Sequence, residues 1–119
     1  MIIGVGTDII EINRIEKLIN NTRFMEKFFT SGEREYLKIK KAESAAGYFC
    51  AKEAISKALG TGFSGIKFTD IEIIKVNSAP KVLLHGKALD IANKMGIKNI
   101  NVSISHCKEY AVSCAVAEG

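Results

Sequence analysis

The chain predicts an α+β domain in which a largely antiparallel sheet packs with helices. Three observations predict it. The first ten residues are apolar, β-branched and punctuated by glycine, which is strand chemistry. Residues 11 to 60 repeat apolar side chains at helical spacing instead. Residues 99 to 117 alternate, turn and return, as a hairpin does. The 119 residues are 47% hydrophobic, so one domain over residues 1–119 is expected. Such a chain buries about two-thirds of its unfolded surface, enough for one core. It is small for an enzyme that must also enclose a large substrate, which favours a site shared between subunits.

The elements follow in order. Ile2 to Ile10 reads as a strand ending near Asp8. From Glu11 to Asn20, Ile12, Ile15, Leu18 and Ile19 lie at helical spacing, and Asn20-Asn21 breaks the pattern. Arg23 to Phe29 is a second helical piece. Thr30 or Ser31 caps a third helix reaching about Lys40, with Glu33 at capping-box spacing from Thr30. Glu43 or Ser44 opens a longer helix that stops at Gly60-Thr61-Gly62. Thr69 to Val76 alternates as a strand, Asn77-Ser78-Ala79-Pro80 is a turn, and Lys81 to His85 is the return strand. Gly86 to Met95 is helical and stops at Gly96. Asn99 to His106 alternates strictly, Cys107-Lys108-Glu109 turns the chain, and Tyr110 to Ala117 returns.

Charge is uneven. The net charge is +4, and eight cations against five carboxylates fall between Glu11 and Lys41. A local basic excess is either a solvated helical face or a surface for an anionic partner. Cys50, Cys107 and Cys114 are an odd count without a CxxC pair, which suggests free thiols in a reducing compartment. The first residues, MIIGVGTDII, read as a strand and not as a signal peptide. No segment approaches the roughly 20 apolar residues of a membrane helix. A cytoplasmic protein without membrane contact is expected.

The chemistry-bearing residues lie in two segments. On a helix at about 100° per residue, Lys52, Glu53, Ser56, Lys57 and Gly60 share one face. Ala51, Ala54, Ile55, Ala58 and Leu59 share the other. Glu53 and Lys57 have the spacing of an ordinary i,i+4 pair. Asp8 closes an apolar strand, where an unpaired carboxylate is costly to bury. It is either a helix N-cap or a metal ligand. Mg²⁺ takes one or two protein carboxylates and completes its shell with water and phosphate oxygen, a habit that Asp8 and Glu53 fit. Lys57 would then neutralise phosphate. Gly60-Thr61-Gly62 is a helix stop that also lets backbone N–H groups approach an anion. His106, beside Ser105 at a strand end, is a structural histidine, or one that donates a hydrogen bond to a phosphate or stacks near a base. His85 has no partner motif and reads as structural. No Ser/His/Asp or Cys/His nucleophile pattern is present. The basic segment lacks the aromatic interleaving of a single-strand nucleic-acid platform, so no nucleic-acid partner is expected.

Three motifs carry a resemblance that spans nearly the whole chain. GTDIIEINR, FCAKEAISKALGTG and VSISHCKEYAVSCAVAE resemble, in order and spacing, the signatures of the holo-(acyl-carrier-protein) synthases. These are the small stand-alone type of 4′-phosphopantetheinyl transferase. The resemblance implies the 4′-phosphopantetheinyl transferase fold and an enzyme of lipid and fatty acid biosynthesis. It implies transfer of the phosphopantetheine arm of coenzyme A to a serine hydroxyl of apo acyl carrier protein, leaving adenosine 3′,5′-bisphosphate. The cofactor implied is Mg²⁺, held by Asp8 and Glu53, with Lys57 on the pyrophosphate and Lys52 as a further candidate there. Glu53, or a metal-bound water beside it, is the implied proton acceptor. Gly60, Thr61 and Gly62, with Ser105 and His106 of a neighbouring subunit, are the implied coenzyme A contacts. Docking of the acidic carrier is implied at Arg14, Leu18, Arg23, Phe24 and Lys27.

The resemblance also implies a homotrimer with sites between subunits. The last strand agrees, because Val112, Cys114 and Val116 line one face and Ala111, Ala115 and Ala117 the other, without a charge before Glu118. The chain departs from the pattern at Thr7, in the Asn77–Pro80 turn and at Tyr48, where many members carry arginine. A competing reading is a non-catalytic oligomeric module that binds coenzyme A or a nucleotide. It needs no carboxylate pair, so Asp8 argues against it. A basic nucleic-acid-binding protein is disfavoured by Glu53 among the lysines, since a carboxylate repels the phosphate backbone.

Overall fold

The computed structural model describes all 119 residues. Five strands form two antiparallel sheets. The larger has the order β1-β5-β4, with β1 Ile2–Glu11, β4 Asn99–His106 and β5 Tyr110–Glu118. The smaller pairs β2 Ile71–Val76 with β3 Ala79–Leu84. Helices α1 Ile12–Glu16, α2 Thr22–Phe28 and α3 Ser31–Leu37 lead into the long α4, Ala42–Ala58, and α5 Gly86–Met95 follows β3. No helix is long and apolar enough to cross a membrane.

Several boundaries differ from the sequence reading, for local reasons. β1 does not stop at Asp8 but pairs with β5 as far as Glu11. α1 is shorter than the Glu11–Asn20 pattern. Once Ile12 and Ile15 are buried, the chain tightens into turns closed by Leu18 N–H to Ile15 O and Asn21 N–H to Leu18 O. α2 is capped by the Asn21 side chain, which accepts from Phe24 N–H. The capping box of α3 forms as expected: Thr30 accepts from Glu33 N–H and Glu33 accepts from Thr30 N–H. α3 ends at Leu37, three residues before Lys40. α4 opens at Ala42 after Lys41, so neither Glu43 nor Ser44 caps it. Thr69 and Asp70 belong to a 3-10 turn, Phe68–Asp70, ahead of β2. The hairpin turn is tighter than four residues: Asn77 and Ser78, both at positive φ, make it alone, and Pro80 pairs within β3.

α4 lies against the inner face of the larger sheet, where Ala111, Ala115 and Ala117 are fully buried and Ser113 nearly so. The approach is unusually close. A Cβ on Gly6 would overlap the carbonyl oxygen of Ala54 and stand 2.8 Å from Ala58 N, and one on Gly4 would overlap the carbonyl of Ala58. At these two positions β1 rests directly on the α4 backbone. The six phenylalanines form one connected cluster beside α4. In it Phe28 meets Phe68 at 4.5 Å and Phe63 stacks on Phe68 at 3.6 Å.

Gly6→Ala should destabilise the fold by about 3 kcal/mol or more, because neither backbone can give way to the added methyl. Urea unfolding of the variant beside wild type measures it. Ala at Gly62, where a Cβ meets nothing within 4 Å but φ is +55°, should cost only about 1 kcal/mol.

Candidate active site

The strand alternation that turns Gly6 onto α4 also turns Asp8 toward it, two residues on. Asp8 is not a helix cap. The α1 N-cap is Glu11, and the Asp8 side chain, only 18% exposed, pairs across to α4. Lys57 Nζ donates to Asp8 Oδ1 at 3.3 Å and to Thr7 O at 2.9 Å. The Glu53–Lys57 pair suggested by spacing is therefore replaced by a strand-to-helix pair. Lys57 is half exposed, and an ammonium has three donors, so one remains for a ligand. The Glu53 carboxylate has neither an ion-pair nor a hydrogen-bond partner, although its carbonyl accepts from Ser56 Oγ at 2.7 Å. Burial first, then the nearby Asp8 charge, raises its pKa, and Lys57 only partly offsets them. Cys50, one turn earlier on α4, donates weakly to Ala111 O at 3.6 Å. Burial and then the Asp8 charge push its thiol up to about 12.

Two carboxylates close enough to repel are a fit for a divalent cation, and both offer the hard oxygen donors that Mg²⁺ takes. No group of three or more His, Cys, Asp or Glu side chains converges anywhere in the chain. A cation at Asp8 and Glu53 would thus complete its shell with water and substrate oxygen.

Lys52 and Ser56 do not share this surface. Both are fully buried, and Lys52 faces away from the pair into an ion pair with Glu33. Burial lowers the Lys52 pKa and raises that of Glu33, and each group pulls the other back. Lys52 is therefore not available to a pyrophosphate. Sequence reasoning missed this pair, although the capping-box position of Glu33 already marked that residue as structured.

The Gly60-Thr61-Gly62 segment is a helix cap first. Gly60 and Gly62 take positive φ, Gly60 N–H donates to Lys57 O, and the N–H groups of Thr61 and Gly62 both donate to Ser56 O. These amides are engaged, so the segment is not a backbone anion nest. It leaves open space instead, since a Cβ at Gly60 or Gly62 meets nothing within 4 Å. Ser105 and His106 are exposed at the end of β4. β5 separates β4 from β1, so they stand about 10 Å across the sheet from the strand that carries Asp8. Within one chain they do not join the carboxylates.

Arg14, Arg23 and Lys27 are exposed on α1 and α2, and Leu18 and Phe24 are half-buried between them. Beside α2 a groove of about 600 Å³ is lined by Lys27, Phe28, Phe63, Ile66, Lys67 and Phe68 among others. Tyr48 is buried and stacked on Tyr36 at 5.4 Å, so it offers nothing to a phosphate. His85 is structural, its Nε2 lying 2.9 Å from Glu72.

This site, an Asp on a strand facing a Glu and a Lys one turn apart on a helix, stands in a fold shared with known proteins. The family model of the 4′-phosphopantetheinyl transferase superfamily matches residues 4–115. The chain belongs to that family. A holo-(acyl-carrier-protein) synthase from a Thermoanaerobacter strain is 53% identical over 97% of this chain and 86% of its own length. One from Caldanaerobacter subterraneus subsp. tengcongensis is 50% identical over 100% of this chain and 97% of its own. Among solved structures, the Bacillus anthracis holo-(acyl-carrier-protein) synthase in complex with coenzyme A (3′,5′-ADP) is 40% identical. It superposes with a TM-score of 0.83, covering 100% of this chain and 98% of that one. The Helicobacter pylori enzyme in complex with coenzyme A is 36% identical, with a TM-score of 0.85 over 96% and 99%.

The electrostatics of the carboxylate pair give a test without turnover. Glu53 has a folded pKa above its ordinary 4.5, so its contribution to stability is present below that value and is lost as pH rises through the folded pKa. In chelator, Glu53→Gln should melt above wild type at about pH 8, and the gap should close toward about pH 4. Thermal melts across that range measure it.

Proposed function

We propose that this chain transfers the 4′-phosphopantetheine group of coenzyme A to a serine hydroxyl of apo acyl carrier protein. The observation that carries the reading is the Asp8, Glu53 and Lys57 constellation within a fold of this family. The serine oxygen bonds to the phosphorus that bears the pantetheine arm. The bond to the adenosine-side phosphate breaks, and its electron pair leaves with adenosine 3′,5′-bisphosphate.

Charge grows on that leaving phosphate. Asp8 and Glu53 would hold Mg²⁺, which would supply neutralisation of the pyrophosphate oxygens. Lys57, fixed by Thr7 O and Asp8, directs its remaining N–H at the same group. Glu53, the carboxyl that Lys57 leaves unpaired, or a water next to it takes the hydroxyl proton. The open surface over Gly60, Thr61 and Gly62 receives the adenosine end of coenzyme A. Arg14, Arg23 and Lys27, around Leu18 and Phe24, steer and orient the acidic carrier.

The active form is a homotrimer. Two things support it. The outer face of the larger sheet leaves Val5 at 56%, Ile9 at 64% and Val112 at 43% exposure, in adjacent rows of β1 and β5. Such a contiguous apolar patch is a mark of an interface. Ser105 and His106 are also too far across the sheet to serve Asp8 of their own chain, so they serve a neighbour's site.

Incubation with coenzyme A, Mg²⁺ and apo carrier protein should add the mass of one phosphopantetheine to the carrier. Asp8→Ala and Glu53→Ala should each cut kcat by about a hundredfold or more while leaving the fold intact, read by intact mass and circular dichroism. An unmodified carrier with the wild-type chain would leave the non-catalytic coenzyme A-binding module as the better reading. Light scattering should report three times 13.0 kDa. Mixing Asp8→Ala with His106→Ala protomers should restore part of the activity that each lacks, and a fully active monomer would rule the trimer out.

A further inference from the structure

Lys52 and Glu33 lie outside the reacting surface, yet their polar atoms are fully engaged. Lys52 Nζ donates to Glu33 Oε1, to Phe28 O at 2.9 Å and to Phe68 O at 3.1 Å. Its three donors thus have three acceptors. Glu33 also accepts from Thr30 N–H and Ile73 N–H, both at 2.8 Å. One buried pair therefore holds the end of α2, the start of α3, the 3-10 turn and β2. It does so from the α4 residue next to Glu53.

α2 needs such a hold. It is seven residues long and buries none of them fully. Its phenylalanines pack against a cluster of rings, and such contacts are not directional in the way a hydrogen bond is. The bond from Lys52 to Phe28 O is directional and satisfies a carbonyl at the helix end. A buried ion pair is rarely more stabilising than apolar residues of similar volume. This one also satisfies backbone groups at the junctions of α2, α3, the 3-10 turn and β2, so it fixes their relative placement.

We propose that Lys52 and Glu33 are positioning residues for the transfer reaction, fixing α2 and its Arg23, Phe24 and Lys27 at a set distance and rotation from Glu53. The inference rests on the reading of α2 as the carrier-docking surface. The bound carrier presents its serine to Glu53 only if those two surfaces keep their spacing, so loosening α2 acts on the carrier and spares coenzyme A.

The test is the double variant Lys52→Met with Glu33→Leu, which removes both charges together and strands neither. It should fold, bind coenzyme A as wild type does, and raise the KM for apo carrier protein about ten- to a hundredfold. Glu33→Gln, which keeps the shape and leaves Lys52 bonded to both carbonyls, should raise it less. Steady-state kinetics with each substrate varied, calorimetric titration with coenzyme A and thermal melts supply the readouts. Carrier KM unchanged in a folded variant would overturn the proposal. Equal losses in coenzyme A affinity and kcat, or failure of both variants to fold, would also overturn it, since the pair would then serve the fold at large. Arg23→Glu in the wild-type background separates the two readings. If it leaves the carrier KM unchanged, the docking surface is misplaced. If it raises the KM and the pair variants do not, the positioning role alone fails.

Discussion

The contact of β1 with the backbone of α4 is the constraint on which the rest depends. Gly4 and Gly6 bring the strand onto the carbonyls of Ala58 and Ala54, at a separation that no side chain could share. The other surface of contact is built to match, with Ala111, Ala115 and Ala117 on β5 and Ala51, Ala54 and Ala58 on α4 all buried. Small residues on both sides mean that little area is buried per residue, so cohesion comes from close backbone approach and many weak contacts. Closeness also has a chemical consequence. Asp8 is carried by the next inward position of the same strand, so a short carboxylate reaches the Glu53–Lys57 turn of the helix. A strand held off by larger side chains would leave that carboxylate short of α4.

The two lysines of α4 show how six residues of helix serve two ends. Lys52 is wholly buried, with three fixed acceptors, and has no capacity for a ligand. Lys57 is half exposed, is anchored by two oxygens of β1 and keeps a donor. The first organises elements behind the site and the second meets whatever enters it. Between them the Glu53 carboxylate has no ion-pair or hydrogen-bond partner in the chain and stays in contact with solvent, which leaves it open to a ligand or a cation.

Much of this was legible in the sequence, and the exceptions have physical causes. Element types and order followed from periodicity, and the Thr30–Glu33 capping box and the Gly96 stop formed as their residue types demand. Asp8, Glu53 and Lys57 could be picked out because charge within an apolar strand and charge along an alanine-rich helix are both unusual. The error over Lys52 came from treating α4 as a helix with one solvent face. α4 is covered by the sheet on one side and by α3, the 3-10 turn and the phenylalanine cluster on another, so a lysine at the edge of the polar stripe is enclosed. Periodicity reports which residues share a face, and it is silent on whether a second layer covers that face. The short helices ended early for a related reason. Their last apolar residues were satisfied by turns that pattern alone does not distinguish from another helical turn.

The end of α4 bears on how the candidate site would receive an anion. A helix C-terminus carries partial negative charge on its last carbonyls. Here Gly60, Thr61 and Gly62 direct their N–H groups back to Lys57 O and Ser56 O, so those amides offset the helix end and have nothing left for an anion. Asp8 and Glu53 add two carboxylates within the same few ångströms. A polyphosphate approaching this surface meets no free backbone donor from the glycine segment and one side-chain cation, Lys57. A cation held by the two carboxylates would meet part of its remaining charge. The same acidic pair that would repel a polyphosphate alone would thus make the surface attractive to it if a divalent cation were shared between them.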